Sequence, residues 1–197
     1  MSVGGTIPFL RSGAIEVRRI LPLLGITVFA SAAGAGLVGL ITDVSLKLIV
    51  SIAMIAVAFF ILLKPKMGIE KAETVSRRSM FLTFVLTFLL GVYGGLFSGG
   101  YVTVLTTVLV AFFGMNFREA VGSTKLINVV SSLVATLVFM WQGLVDYWLG
   151  VILGVTMFAA AYLGAHYAVK LNDKWLKAIF LITVFALAIK TIFDFLR

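Results

Sequence analysis

Residues 80–113 read MFLTFVLTFLLGVYGGLFSGGYVTVLTTVLVAFF, a run of 34 residues without a single charged side chain. As one α-helix this run would extend about 51 Å, whereas the hydrocarbon core of a bilayer is about 30 Å thick. Five glycines lie between Gly91 and Gly100, and each costs about 1 kcal/mol relative to alanine inside a helix. We therefore expect two shorter helices, Met80–Phe97 and Tyr101–Phe113, with an unwound or tightly turned junction. Such a junction is stable at membrane depth only when protein buries it or when it lines a wet cavity.

Further apolar segments on both sides of this run are long enough to cross a bilayer, which takes about 20 helical residues. Backbone in lipid must satisfy its own hydrogen bonds, so the sequence predicts an all-α fold. The basic segment 64–79 divides the chain into two membrane parts, 1–63 and 80–197, and we expect this linker to be cytoplasmic. The predicted spans are Ile20–Ile41, Leu46–Leu63, Val121–Trp141, Tyr147–Val169 and Leu176–Phe193.

The composition places the chain in a membrane. Of its 197 residues 61% are hydrophobic and 12% charged, and the mean hydropathy is +1.16. Soluble domains carry about 45–50% apolar and about 25% charged residues. The net charge of +8 indicates basic loops rather than nucleic-acid binding. With no cysteine and one histidine, the sequence predicts no disulfide, metal site or cofactor.

The chain repeats itself at an offset of 130 residues. Aligning residues 2–63 with 132–193 gives 15 identities in 62 pairs, including the polar pairs Ser2/Ser132, Thr6/Thr136 and Asp43/Asp173. Because 52 residues, 80–131, precede the second copy and only one precedes the first, we expect the first repeat to be truncated. The glycine-broken helix pair then belongs to the second repeat alone.

Loop charges suggest that the two repeats are inverted. Residues 11–19 carry three basic side chains and their counterparts 141–149 carry none, whereas residues 42–47 carry one and residues 170–177 carry three. Basic loops stay on the cytoplasmic side, so equivalent loops should lie on opposite faces of the membrane. Inverted repeats of this kind are common in secondary transporters.

Two stretches of the second repeat resemble the sulfite exporter TauE/SafE family. They are GVYGGLFSGG at 91–100 and REAVGSTKLIN at 118–128, followed by GLVDYW at 143–148. The resemblance covers essentially the whole chain, except that the first glycine-rich segment is missing. It implies a two-repeat permease in the bacterial or archaeal plasma membrane (a cell inner membrane) that moves sulfite, organosulfonates or related anions by alternating access.

The predicted substrate site combines a lysine with the glycine junction. Lys125 lies in an otherwise apolar span, and a lysine at membrane depth usually faces a cavity or a partner. Unwound glycines offer backbone N–H groups to an anion. Alternatively, Lys125 extends to the membrane surface and the glycines only allow close helix packing, which is the favoured interpretation for Gly34 and Gly164. The predicted anion-binding residues are Lys125, Thr124, Asn128, Tyr93, Gly94, Gly95, Ser98, Gly99 and Gly100.

Three classes of function remain. A carrier of small anions is favoured, with the lipid bilayer as its environment and no nucleic-acid partner. A non-transporting membrane scaffold or regulator, or a fragment inactive alone, is the alternative. An intramembrane enzyme is the weakest, because the sequence shows no Ser/His/Asp constellation and no catalytic residue. The sequence leaves open whether copies form a homo-oligomer.

Overall fold

The computed structural model describes residues 1–38, 75–96 and 100–196, with backbone alone for 187–196. All regular structure within these ranges is helical, which confirms the predicted all-α fold. Within these ranges four helices, Val17–Gly36, Arg77–Leu96, Phe117–Trp141 and Tyr147–Ala168, are long and apolar enough to cross a membrane. The predicted span Leu46–Leu63 and most of the linker 64–79 lie outside the described residues. The helices are α1 (Ser2–Arg11), α2 (Val17–Gly36), α3 (Arg77–Leu96), α4 (Tyr101–Phe112), α5 (Phe117–Trp141), α6 (Tyr147–Ala168) and α7 (Asp173–Leu196).

The uncharged run 80–113 forms two helices, as predicted. Helix α3 ends at Leu96 and α4 begins at Tyr101, and Gly100 between them has φ 76°. Gly91, Gly94 and Gly95 lie inside α3, within the predicted helix Met80–Phe97, so the predicted anion-binding glycines Gly94 and Gly95 are not unwound. Helix α3 also begins three residues within the predicted linker, at Arg77.

Gly91 and Gly95 of α3 lie directly against α2. A Cβ on Gly91 would come within 2.7 Å of the Ala30 Cβ on α2, and one on Gly95 would collide with the Ser31 carbonyl. A Cβ on Gly34 would collide in turn with the Val92 carbonyl of α3. Close helix packing offsets the low helix propensity of glycine here.

Helix α1 was not predicted, and it runs antiparallel along the first half of α5. The Asn128 side chain donates from Nδ2 to Ser2 Oγ at 2.7 Å. Further along, Gly5 faces Lys125, and Gly122 faces both Phe9 and Ile15. The loop between α1 and α2 therefore lies near the N-terminal end of α5.

Local structure repeats at the same offset of 130 residues as the sequence. Helices α1 and α5 end at Arg11 and Trp141, and Gly13 (φ 70°) and Gly143 (φ 72°) follow at equivalent positions. In both loops the glycine N–H and the next N–H bond back to the carbonyls three and five residues earlier, at 3.0–3.1 Å. This is the Schellman arrangement, which requires a left-handed residue after the helix.

Equivalent helices of the two repeats also make equivalent contacts. Helix α1 packs against α6, and α2 packs against α5. In the 130-residue alignment α1 corresponds to the end of α5, and α2 corresponds to α6. The contact of α1 with α6 is therefore equivalent to the contact of α5 with α2, and both contacts join one repeat to the other. Helix α5 is central and also contacts α1, α3, α4 and α7.

Candidate functional site

Lys125 lies on the face of α5 that is directed towards α1 and α6. Its Nζ is 3.2 Å from where a Cβ would stand on Gly5, so the absence of that Cβ makes room for the lysine. The side chain lines a cavity of about 320 Å³ whose other wall is built from small residues of α6, including Ala160, Ala161 and Gly164. Within the described residues, no carboxylate forms an ion pair with Lys125. The cavity thus contains a cation without a neutralising partner from that part of the chain.

Asn128, one turn further along α5, begins a polar stripe. It lines a second cavity, of about 420 Å³, together with Ser132 and Thr136 at successive turns of the same helix face. Ser132 Oγ donates to Asn128 Oδ1 at 3.4 Å, and Ser2 from α1 completes the polar lining. Hydroxyl and amide groups can donate hydrogen bonds to an oxyanion.

The two cavities adjoin each other. Both are lined by Met1 and Met157, and Lys125 and Asn128 are three residues apart on one helix face. The sequence predicted a site with these two residues, but the prediction did not include Ser2, Ser132 and Thr136. The signal was available, because Ser2/Ser132 is an identical pair of the repeat and Asn128, Ser132 and Thr136 recur at four-residue spacing.

The other predicted site residues lie elsewhere. Thr124 is fully buried towards α4, where the Thr106 hydroxyl donates to its Oγ1 at 3.2 Å. Gly94 lies against the Tyr101 ring, and Tyr93 packs against Val184 of α7. Gly95 contacts Ser31 of α2, and Gly100 precedes α4 as its N-cap. Ser98 and Gly99 lie outside the described residues.

A buried hydroxyl pair joins the repeats beside the glycine-rich helix. Ser31 Oγ of α2 donates to Ser131 Oγ of α5 at 2.7 Å and lies 3.3 Å from the Gly91 carbonyl of α3. Both serines are at most 1% exposed. These hydrogen bonds satisfy polar groups deep in an apolar bundle, and they fix α2, α3 and α5 in register.

Arginines join the helix ends on the side where α5 begins. Arg19 of α2 donates to the Phe113 carbonyl, lies over the Phe113 ring at 4.8 Å and is 4.0 Å from the Glu119 carboxylate. Arg118 donates to the Leu171 carbonyl, and its backbone N–H donates to Asp173 Oδ1 at 2.8 Å. These contacts connect α2, α4, α5 and α7 at one end of the bundle.

Comparison with known proteins gives one consistent result. The family model of the sulfite exporter TauE/SafE matches residues 1–191. A probable membrane transporter protein, ORF9, of Sinorhizobium sp. is 30% identical over 194 residues, which are 98% of this chain and 74% of the relative. The probable membrane transporter protein YfcA of Escherichia coli K12 is 26% identical over 195 residues, which are 98% of this chain and 71% of the relative. No solved structure matches the chain.

Proposed function

The chain belongs to the sulfite exporter TauE/SafE family of membrane transporters, and we propose that it carries small sulfur-containing oxyanions such as sulfite or an organosulfonate. As a multi-pass protein of the cell membrane it acts in the bilayer as a transporter and not as an enzyme.

Lys125 is the observation that carries this proposal. Placing a lysine at membrane depth costs about 3 kcal/mol, yet Lys125 lines a cavity and forms no ion pair with the described carboxylates. An anion entering the cavity supplies the missing counter-charge. Asn128, Ser132 and Thr136 line the adjoining cavity. The second N–H of the Asn128 amide can donate to a sulfonate or sulfite oxygen, and the two hydroxyls can do so by exchanging their present bonds to Asn128 Oδ1 and the Ser132 carbonyl.

The cavities also suit a small solute in size. Their volumes of about 320 and 420 Å³ are about 11 and about 14 times the roughly 30 Å³ that one water molecule occupies in the liquid. A partly hydrated oxyanion therefore fits beside Lys125 and can move towards Asn128.

We further propose that the two repeats are inverted and that transport proceeds by alternating access. The loop at 12–16 lies near the start of α5, because Ile15 contacts Gly122. Its counterpart at 142–146 follows the end of the same helix, which has 25 residues and is therefore about 37 Å long. With equivalent loops at opposite ends, exchanging the conformations of the two repeats moves the opening from one face to the other.

Anion flux into proteoliposomes tests the assignment of Lys125. Hydrogen bonds to charged groups contribute about 1.5–3 kcal/mol, so Lys125→Met should lower sulfite flux at subsaturating concentration about ten- to a hundredfold. Lys125→Arg, which keeps the charge, should retain measurable flux. Lys174→Met, which removes an exposed charge from α7, is the matched control and should transport like the unsubstituted protein. Equal flux by the Lys125→Met and Lys174→Met variants would contradict the proposed site.

A further inference from the structure

Arg118 lies on the same face of α5 as Lys125, two turns closer to the start of the helix. Their seven-residue spacing corresponds to about 700° of rotation and about 10 Å of rise, so the two positions are nearly in line along the helix. Val121, one turn from Arg118, lines the Lys125 cavity, and Ala168 at the end of α6 lines it as well. Arg118 therefore lies directly beyond the cavity on this face of α5.

The loop after α6 meets α5 at Arg118. The Leu171 N–H donates to the Ala168 carbonyl at 3.1 Å, which places Leu171 one turn beyond the cavity lining. Arg118 Nη2 donates to the Leu171 carbonyl, and the Arg118 backbone N–H donates to Asp173 Oδ1 at 2.8 Å. The Leu171 side chain also packs against the buried core. The loop and α5 are thus joined where an anion moving from Lys125 towards the start of α5 would pass.

The contact with Leu171 uses only one side of what the Arg118 guanidinium can offer. Arg118 Nε is buried and has no hydrogen-bond partner in the described parts of the chain. A buried N–H without a partner is unfavourable, so a ligand that satisfies it can compete with the present contact. Arginine binds oxyanions through two parallel N–H groups, such as Nε and Nη2, that donate to two oxygens. The Leu171 carbonyl offers a single oxygen, whereas a sulfonate or sulfite offers three.

We propose that Arg118 is a second binding point for the transported oxyanion and closes the Lys125 cavity when no anion is bound. As an anion arrives, Nη2 exchanges the Leu171 carbonyl for one anion oxygen while Nε donates to another, and the loop is released. The inference rests on the proposed function, because it places Arg118 between the Lys125 cavity and the end of the bundle where α5 begins. It assigns the transported anion a role in opening its own path.

The reactivity of a cysteine in the cavity tests whether Arg118 closes it. Val121→Cys lines the cavity, and the chain has no cysteine of its own. Membrane vesicles are chosen in which an impermeant maleimide labels Ser12→Cys, since Ser12 is exposed at the same end of the bundle as Arg118. In these vesicles Arg118→Gln should speed the labelling of Val121→Cys about tenfold, because a charge-assisted hydrogen bond is lost.

Arg77→Gln is the matched control, because it removes an exposed arginine from the same end of the bundle. It should leave the labelling rate of Val121→Cys unchanged. The labelling rate of Ser12→Cys should be the same with Arg118→Gln as without it, which shows that the reagent reaches this end equally. Equal labelling of Val121→Cys in the Arg118→Gln and Arg77→Gln chains would overturn the proposal.

The release of the loop is tested with methanesulfonate, an organosulfonate that does not react with maleimides. It should speed the labelling of Val121→Cys several-fold when Arg118 is present and leave the rate unchanged in Arg118→Gln. Arg118→Lys keeps the charge but lacks the two parallel N–H groups, so its labelling without anion should stay slow and its response should be weaker. Slower labelling with methanesulfonate, or an equal response of the lysine variant, would overturn the proposal.

Methanesulfonate flux through Lys125→Met separates this inference from the proposed function. Flux that Lys125→Met leaves unchanged, together with labelling that depends on Arg118, would refute the Lys125 site and support the closure by Arg118. Flux that Lys125→Met lowers, together with labelling that does not depend on Arg118, would refute the closure alone.

Discussion

Glycine has opposite surroundings at equivalent positions of the two repeats. Gly34 and Gly164 are an identical pair of the alignment, and close packing was predicted for both. Gly34 meets the prediction, because Val92 of α3 occupies the space of a Cβ. Gly164 faces open space within the described chain. The residue type alone does not reveal this difference, which depends on whether another helix covers the face.

Substituting alanine at each of these two positions should separate their roles. Gly34→Ala forces α2 and α3 apart, and overpacking of this kind costs about 1–3 kcal/mol. Gly164→Ala adds a methyl group in open space and gains up to about 1 kcal/mol of helix propensity. Thermal unfolding in one detergent should therefore show a lower transition temperature for the first variant only. Equal destabilisation of both would contradict the packing of α2 against α3.

At the scale of elements, the division of residues 80–113 was predictable and the roles of its glycines were not. Length alone requires a break, because the uncharged run would be about 51 Å long as a single helix and the bilayer core is about 30 Å thick. Glycine is favoured both where a helix unwinds and where helices approach closely, and Gly91 and Gly95 serve the second purpose. Deciding between the two requires knowing that α2 lies alongside, which no local pattern contains.

Local sequence patterns likewise predicted only part of the candidate site. Helical periodicity places Lys125 and Asn128 on one face of α5, and the structure agrees. The helices that face them, α1 and α6, are far away in sequence. Helix α1 has only ten residues, too few to register as a span, although its repeat counterpart 132–141 was predicted to be helical.

The shared face of α5 leads to a prediction about charge. Asn128→Asp places a carboxylate three residues from Lys125, where the two side chains can pair along the helix. The pair cancels the positive charge available to an anion, so sulfite flux in proteoliposomes should fall further than with Asn128→Leu, which only removes hydrogen bonds. The opposite order of the two variants would show that Lys125 does not supply the binding charge.

At the scale of the whole molecule, basic residues lie mainly at one end of the bundle, and this distribution predicts its orientation in the membrane. The end of the bundle where α5 begins carries Arg18, Arg19, Arg77 and Arg118, and the loop 142–146 at the other end carries no basic residue. Basic loops stay in the cytoplasm. The first end is therefore expected inside the cell, with Trp141 and Trp148 near the outer interface.

Labelling of two equivalent loop positions tests the inversion of the repeats directly. Ser12 and Gln142 are counterparts, both are exposed, and each directly follows a helix. In intact cells a membrane-impermeant thiol reagent should label Gln142→Cys at once and Ser12→Cys only after the membrane is opened, because the first loop is cytoplasmic. An unsubstituted chain, having no cysteine, gives the background. If both variants react before the membrane is opened, or if neither does, then equivalent loops share one side, the repeats are parallel, and exchange of repeat conformations cannot be the transport mechanism.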